Sequence, residues 1–392
     1  MAAPLRPSLL RQAAVALRRG VLVGALVVGA AGCGSVRQVA CLPSNDAVLT
    51  MDDLFAGDAP SKLKATTEAP RKTAIDYTVS DRKRTGDLYQ SGTPSAAIVL
   101  VPGASTSGKD DPRLIAFAEA LARMHFTVLV PDLPNVRELR VKPDDARVIA
   151  DGFAYIATRP DLAPQGRIGM GAFSYALGPT IMAALEPDVK AKCRFVLGVG
   201  GYYNLTNTIT YFMTGNYKES PSGPWLYLQP NWYGKWVFVH SNVDRFSDPD
   251  DRATLTDMAN QKVKDPNVDV TALAGKLKSA EGQALYAMLT NTDPEKVPGL
   301  LGQLPADVRK DLDQLDLSKR DLTGLPARVL LFHGYDDNLV PYTESIALAG
   351  AVRDAKYWLI NGFVHVDFAK TGFMDGWRMG CAVDDLLAER WR

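Results

Sequence analysis

The sequence predicts an α/β protein: a mostly parallel, doubly wound sheet with helices on both faces and an inserted, mainly helical cap. Two observations favour this fold class. Short apolar runs alternate along the chain with segments of helical periodicity, as strands buried on both faces alternate with helices in a parallel sheet. The alternation stops at residue 202 and resumes at residue 326, which is expected if a separate unit is inserted between two strands.

The first 33 residues are predicted to be an export signal outside the fold. Arginines precede the apolar run "VLVGALVVGAAG", which is too short to span a bilayer comfortably. The run ends in "GAAGC", which resembles the lipobox of bacterial lipoproteins, so Cys33 is the predicted lipidated residue. The chain is then expected in the cell envelope, lipid-anchored on the periplasmic or extracellular side of a bacterial membrane. An ordinary cleaved signal peptide and a secreted protein are the alternative.

Residues 34–72 are polar and rich in turn-forming residues, so we expect a flexible tether with little fixed structure. The predicted core spans residues 73–201 and 326–392. It begins with an antiparallel hairpin, in which "TAIDYTVS" and "TGDLYQSG" flank the charged turn "DRKR". The strands that follow are "AAIVLVPG", "FTVLVPDLPN", "GRIGMGAF", "CRFVLGVGG", "ARVLLFHG" and "KYWLI".

The predicted cap insertion spans residues 202–325. It contains helical stretches and the aromatic cluster "PWLYLQPNWYGKWVFVH". From this cluster, the candidates for the roof of a substrate pocket are Trp225, Trp232, Tyr233 and Trp236. Packing in the core of the cap is the alternative for these side chains, and it is slightly favoured.

Composition narrows the classes of partner and cofactor. The 44 basic and 44 acidic residues balance, without a basic stripe or an acidic tail, which argues against nucleic acid and favours a small, weakly charged substrate. The dispersed histidines fit no metal-binding motif, so no metal is expected. Export permits disulfides, but the spacing does not decide how Cys41, Cys193 and Cys381 pair, a Cys193–Cys381 bridge being one option. The oligomeric state is not predicted.

Ser174 lies at a turn between a predicted strand and a predicted helix, in "RIGMGAFSYALGPTIMAAL". This is the context of a nucleophile elbow, although Ala172 and Ala176 replace both glycines of the usual G-x-S-x-G. Each alanine adds one methyl group where strand and helix nearly touch. The alternative is that this serine only caps the helix that follows it. A dinucleotide fingerprint at "GMGAFS" is disfavoured, because no acidic residue ends the following strand.

Two later segments resemble motifs of the α/β-hydrolase family. "LFHGYDDNLVP" is similar to its H-G-x-x-D-x-x-V-P segment, which implies that Asp337 is the triad acid and that His333 is structural. The alternative position for the acid, after the preceding strand, holds Asn204 and no carboxylate. "NGFVHVDF" then matches the loop that carries the family's catalytic histidine, here His365. The resemblance covers the chain from about Thr73 to the C-terminus, except the insertion.

This resemblance implies the α/β-hydrolase fold and an exported serine hydrolase, most of all a carboxylesterase or lipase-like enzyme, without a cofactor. His365 would take the proton of Ser174 while Asp337 orients the imidazole, and the backbone N–H groups of Ala104 and Tyr175 would form the oxyanion hole. A small uncharged ester is the expected substrate, with thioesters and amides also allowed. The alternative is a non-catalytic envelope lipoprotein that uses the fold to bind a ligand or a partner.

Overall fold

The computed structural model describes residues 41–392, except residues 141, 366 and 369–371 and the side chains of residues 367 and 368. The strands, in chain order, are β1 (Arg71–Val79), β2 (Arg82–Gln90), β3 (Ala96–Val101), β4 (Phe126–Pro131), β5 (Ile168–Phe173), β6 (Phe195–Val199), β7 (Asn216–Tyr217), β8 (Leu226–Tyr227), β9 (Arg328–Gly334), β10 (Ala355–Ile360), β11 (Phe363–Val364) and β12 (Asp367–Phe368).

Within this described part of the chain, eight strands form one sheet in the order β1-β2-β4-β3-β5-β6-β9-β10. β1 pairs antiparallel with β2, and β2 pairs antiparallel with β4. All the other neighbours in this sheet run parallel. β3, β4 and β6 are buried along their whole length, which is why they appear in the sequence as continuous apolar runs rather than alternating ones.

The helices are α1 (Asn45–Ala56), α2 (Lys62–Thr66), α3 (Pro112–Arg123), α4 (Pro134–Arg137), α5 (Asp145–Ala157), α6 (Leu177–Leu185), α7 (Leu205–Thr214), α8 (Tyr233–Asn242), α9 (Pro249–Lys264), α10 (Thr271–Ala274), α11 (Ala280–Thr290), α12 (Val297–Leu301), α13 (Ala306–Leu315), α14 (Thr343–Ala351) and α15 (Phe373–Ala388). One hydrophobic cluster joins the sheet to α5, α6 and α14. A second cluster joins it to α1, α3 and α15. The two clusters bury the two faces of the sheet.

The prediction of a flexible tether over residues 34–72 is wrong for the part that the structure describes. Ser44 caps α1 by accepting a hydrogen bond from the backbone N–H of Ala47, and Ser61 caps α2 in the same way. Ala47 and Met51 are buried in the cluster that α1 shares with α15. An isolated helix of this length is marginal in water, so its stability depends on contacts with residues far along the chain. Residues 34–40 lie outside the described residues, as do the predicted export signal and Cys33.

The N-terminal segment is covalently attached to the last helix. Cys41 and Cys381 form a disulfide with a Cα–Cα distance of 6.0 Å. Cys193 is buried and keeps a free thiol, and burial raises its pKa to about 12. The Cys193–Cys381 pairing that the sequence left open is therefore wrong.

Residues 202–325 form helices α7 to α13 and the short strand pair β7 and β8. Their apolar side chains build a third cluster, separate from the two clusters of the sheet. α7 begins shortly after β6 ends, and β9 follows the last helix of the insertion. The insertion thus enters and leaves at two neighbouring strands of the sheet. In the described residues, no helix is long and apolar enough to cross a membrane.

Gly334 ends β9 at a point where the backbone of β11 comes very close. A Cβ atom at this position would lie 1.6 Å from the carbonyl oxygen of Phe363, so one of the two backbone segments would have to move. We expect Gly334→Ala to lower the free energy of unfolding by about 3 kcal/mol in urea denaturation. Gly350→Ala is the matched control, because nothing lies within 4 Å of its Cβ position. Equal unfolding midpoints for the two variants would contradict this packing.

Candidate active site

Ser174 occupies the sharp turn between β5 and α6. Its φ angle is +55°, a left-handed conformation that costs a non-glycine residue on the order of 1–3 kcal/mol and is found most often at functional sites. Ala172 and Ala176, which replace the usual glycines, are both buried. The turn therefore accommodates a methyl group on each side of the serine.

Asp337 and His365 are brought together by two loops at the same edge of the sheet. Asp337 follows β9, and His365 follows β11. The imidazole Nδ1 lies 3.0 Å from Oδ2 of Asp337 and 3.2 Å from Oδ1. A carboxylate can only accept here, so the Nδ1 atom carries a proton. In the neutral ring this leaves the lone pair on Nε2, the nitrogen required of a general base.

The carboxylate of Asp337 is fixed from several sides and is 1% exposed. Its Oδ1 atom accepts hydrogen bonds from the backbone N–H groups of Leu339 and Val340, each at 2.9 Å. Burial acts to raise the pKa of Asp337, but His365 and His333 outweigh it and hold this pKa below its ordinary value. The side chain is therefore an anion with a fixed orientation.

His333 is a second histidine on the same carboxylate. Its Nε2 atom lies 3.3 Å from Oδ2 of Asp337 and 3.0 Å from the carbonyl oxygen of Val340. Both neighbours are acceptors, so Nε2 bears the proton, and the hydroxyl of Ser345 donates to Nδ1 at 2.7 Å. His333 is fully buried. The sequence predicted a structural role for this histidine. In the structure, it contacts the carboxylate of Asp337 and helps to fix its position.

Asp336 and Gly200 determine the shape of the same loops. Oδ2 of Asp336 accepts a hydrogen bond from the backbone N–H of Gly362 at 2.8 Å, so this carboxylate binds backbone rather than His365. Gly200 follows β6 with a φ of +60°, and a Cβ there would lie 3.1 Å from Oδ2 of Asp337 and 3.4 Å from Nδ1 of His365. Sequence analysis missed Gly200, although the run "GVGG" at a strand end was a signal for a close approach.

Ala104 and Tyr175, the two predicted oxyanion donors, line one cavity together with Ser174 and His365. Gly103 allows the loop after β3 to approach the serine, since a Cβ there would lie 3.5 Å from Cβ of Ser174. The Tyr175 side chain has a separate role, because its hydroxyl donates to Asp145 at 2.6 Å. Burial, with Asp145 beside it, raises the pKa of Tyr175 well above its ordinary value.

The cavity has a volume of about 810 Å³ and lies at the carboxyl ends of the parallel strands. Its walls come from three parts of the chain: the loops after the strands, helices α7, α8 and α13 of the insertion, and helices α1, α3 and α15. Most of the side chains that line it are apolar. Such a cavity is large enough for a small organic ligand of drug-like size.

Of the four aromatic residues predicted for the pocket roof, one lines the cavity and three do not. Tyr233 lines the cavity. Trp236 is buried in the hydrophobic cluster of the insertion and Trp232 packs against that cluster, while the Trp225 indole N–H donates to Glu295 at the surface. The three tryptophans therefore do not line this cavity, and Trp232 and Trp236 follow the slightly favoured alternative of packing in the core of the insertion. Phe212 and Phe238, which the sequence did not single out, line the cavity beside Tyr233.

Among the residues that the structure describes, no three histidine, cysteine, aspartate or glutamate side chains are arranged to hold a metal ion.

Comparisons with known proteins give similarity in structure but not in sequence. No protein-family model and no curated protein matches the chain. A putative hydrolase from Legionella pneumophila is 13% identical with a TM-score of 0.53, over 88% of this chain and 95% of that one. An esterase from Pyrobaculum calidifontis is 14% identical with a TM-score of 0.44, over 87% of this chain and 90% of the other.

An acylaminoacyl peptidase in complex with Z-Gly-Gly-Phe-chloromethyl ketone is 12% identical with a TM-score of 0.42, over 77% of this chain. The chain spans only 38% of the length of that peptidase. The similarity to the Legionella structure, over nearly all of both chains, agrees with the strand order and with the helices on both faces of the sheet. The chain has the α/β-hydrolase fold.

Proposed function

We propose that this protein is a serine hydrolase that cleaves a carboxylic ester through an acyl-enzyme. The observation that carries the proposal is the arrangement of three side chains, two at one cavity and the third buried behind them. Ser174, on its left-handed turn, lines the same cavity as His365, and His365 Nδ1 is bound by the buried carboxylate of Asp337. Nucleophile, base and orienting acid are the three groups that acyl transfer by a serine requires.

In the proposed reaction, Oγ of Ser174 attacks the ester carbonyl carbon while Nε2 of His365 takes the hydroxyl proton. The carboxylate of Asp337 stabilises the imidazolium, and the backbone N–H groups of Ala104 and Tyr175 donate to the oxyanion. Collapse breaks the bond to the alcohol, which leaves with the proton from His365. A water molecule, deprotonated by the same histidine, then attacks the acyl-enzyme and releases the acid. No cofactor takes part.

The apolar walls of the cavity support an uncharged substrate with apolar groups. A free charge on the substrate would lose hydration against the apolar part of these walls. Thioesters and amides undergo the same acyl transfer and therefore belong in the same assay. Ester cleavage is the primary proposal, because an alcohol is a better leaving group than an amine.

Purified protein tests this proposal with chromogenic esters, a thioester and an anilide. We expect saturable ester turnover, with a burst of alcohol equal to the enzyme concentration wherever deacylation is slow. Stoichiometric inactivation by a fluorophosphonate should accompany it. Turnover at the background rate for all substrates, without inactivation, would contradict the proposal and favour a binding protein.

We also propose that Cys33 carries lipid and holds the enzyme at a membrane of the cell envelope. In the native bacterium, wild-type protein should fractionate with membranes and resist extraction by high salt. Cys33→Ser should be released from the membrane or accumulate as an uncleaved precursor, because no thiol is left to acylate. Mass spectrometry of the mature N-terminus checks this directly. An unlipidated N-terminus at another residue would show ordinary secretion instead.

A further inference from the structure

The cavity reaches beyond Ser174 to a wall that the N-terminal segment supplies. We call the segment Cys41–Thr66, with helices α1 and α2, the N-terminal clasp. We propose that the clasp forms the buried apolar end of an acyl-binding site and selects esters with long apolar acyl chains. This inference rests on the proposed function and names its substrate class.

The buried apolar end of the cavity lies between α1 and α15. Met51 of α1 and Met379 and Val383 of α15 line the cavity, and all three are less than a tenth exposed. They belong to the hydrophobic cluster on one face of the sheet, whereas Ile209 and Phe238, which line the cavity under the insertion, belong to the separate cluster there. The cavity therefore extends from the insertion into one face of the core.

A buried apolar end suits the group that stays attached to Ser174. The alcohol must leave to solvent after it takes its proton, and a binding site buried among apolar side chains would hold it back. The acyl group remains bonded to the serine until water arrives, and its chain can stay buried. Each further buried methylene group strengthens binding by about fourfold, and a cavity of about 810 Å³ has room for many of them.

The clasp is held in place mainly by α15. The Cys41–Cys381 disulfide fixes its start, and Gly380 lets Pro43 approach so closely that a Cβ there would lie 2.9 Å from the proline ring. Ser44 donates to Asp384. Arg390 donates to Asp46 at 2.8 Å. The first three contacts lie along one side of α15 and the fourth lies just beyond its end, so the position of Met51 in the cavity depends on them.

The test measures kcat/KM for p-nitrophenyl esters from acetate to laurate and uses the laurate-to-acetate ratio as the readout. In the wild type we expect this ratio to rise well above one. Met51→Trp fills the buried end and should lower the ratio at least tenfold. Leu54→Trp, at a half-buried lining position of α1, should lower it in the same direction even if Met51→Trp folds poorly. Val48→Trp is the control, because Val48 lies on the same helix but is 37% exposed.

Opening the disulfide gives an independent arm of the test. Cys41→Ser, or wild-type protein treated with a reductant, should lose part of the preference for laurate, because the wall is no longer fixed. A ratio near one in the wild type, or one that both tryptophan variants leave unchanged, would overturn the inference. Labelling by a small fluorophosphonate separates the two claims: labelling with a flat chain-length profile sinks only this inference, whereas no labelling and no turnover sinks the proposed function with it.

Discussion

Ser174→Ala is expected to lower ester turnover by a factor on the order of 10⁶, because the nucleophile of a serine triad has no substitute. The loss should fall on kcat, since the cavity that binds the ester is otherwise intact. The fold should survive. The substitution removes one hydroxyl group from a half-buried turn position and leaves the backbone of Tyr175 and the core residues Ala172 and Ala176 in place. We expect a free energy of unfolding within about 1 kcal/mol of the wild type.

Ser105→Ala is the matched control for this prediction. Ser105 also lines the cavity, but its hydroxyl donates to Asp111 at 3.3 Å. It directly follows Ala104, the predicted oxyanion donor, in the loop after β3. Its loss should cost less than about tenfold, as expected for a neutral hydrogen bond. If Ser105→Ala were the inactive variant and Ser174→Ala retained turnover, the assignment of the nucleophile would be wrong.

Asp337→Asn should lower turnover by about 10⁴, as removal of the charge does in serine triads. The amide keeps the shape of the side chain, and its oxygen can still accept from the N–H groups of Leu339 and Val340. It supplies no negative charge beside the imidazolium of His365. It also offers a donor where Nδ1 must donate, which favours the wrong tautomer of the ring.

Asp336→Asn is the neighbouring control, because the two carboxylates differ by one position in the chain and have different partners. Asp336 accepts from the backbone N–H of Gly362, a bond that an asparagine oxygen can also make. Turnover should fall by less than about tenfold. Measurement of kcat/KM for both variants on one activated ester decides the matter. If Asp336→Asn were inactive and Asp337→Asn active, the triad acid would be Asp336 and our assignment would be wrong by one residue.

The parallel sheet could be predicted because each of its buried strands leaves a recognisable pattern in its own short stretch of sequence. Strands such as β3 and β4, buried on both faces, leave continuous apolar runs that can be recognised without knowledge of their neighbours. α1 leaves a weaker pattern, because Asp52 and Asp53 interrupt its apolar positions and Asp53 is itself buried. The helix is stable through α15, to which it is linked across a sequence separation of 340, and no local pattern reports such a contact.

The pocket roof shows why residue type alone does not place a side chain. On α8 the cavity is lined by Tyr233, Val237, Phe238 and Ser241, whose spacing corresponds to one face of a helix. Trp236 lies on the other face and packs into the core of the insertion. The aromatic cluster was visible in the sequence, but the rotation of α8 about its axis was not.

The loops around Asp337 were more accessible to sequence reasoning. The segments "LFHGYDDNLVP" and "NGFVHVDF" predicted both members of the Asp337–His365 pair, because strand ends and the loops after them carry recognisable motifs. The second contact, from His333, was not foreseen as a contact with the carboxylate. Gly200 was not foreseen at all, since the need for a missing side chain appears only when β6 and the His365 loop lie side by side.

The central claim is that Ser174 is an activated nucleophile, and the most direct measurement locates the bond that it forms. Wild-type protein is incubated with a small fluorophosphonate, digested and analysed by mass spectrometry, with heat-denatured protein as the control for chemical background. The account predicts one adduct per chain, on Ser174, in native protein only. An adduct on another residue, or native protein that stays unmodified as the denatured control does, would contradict it.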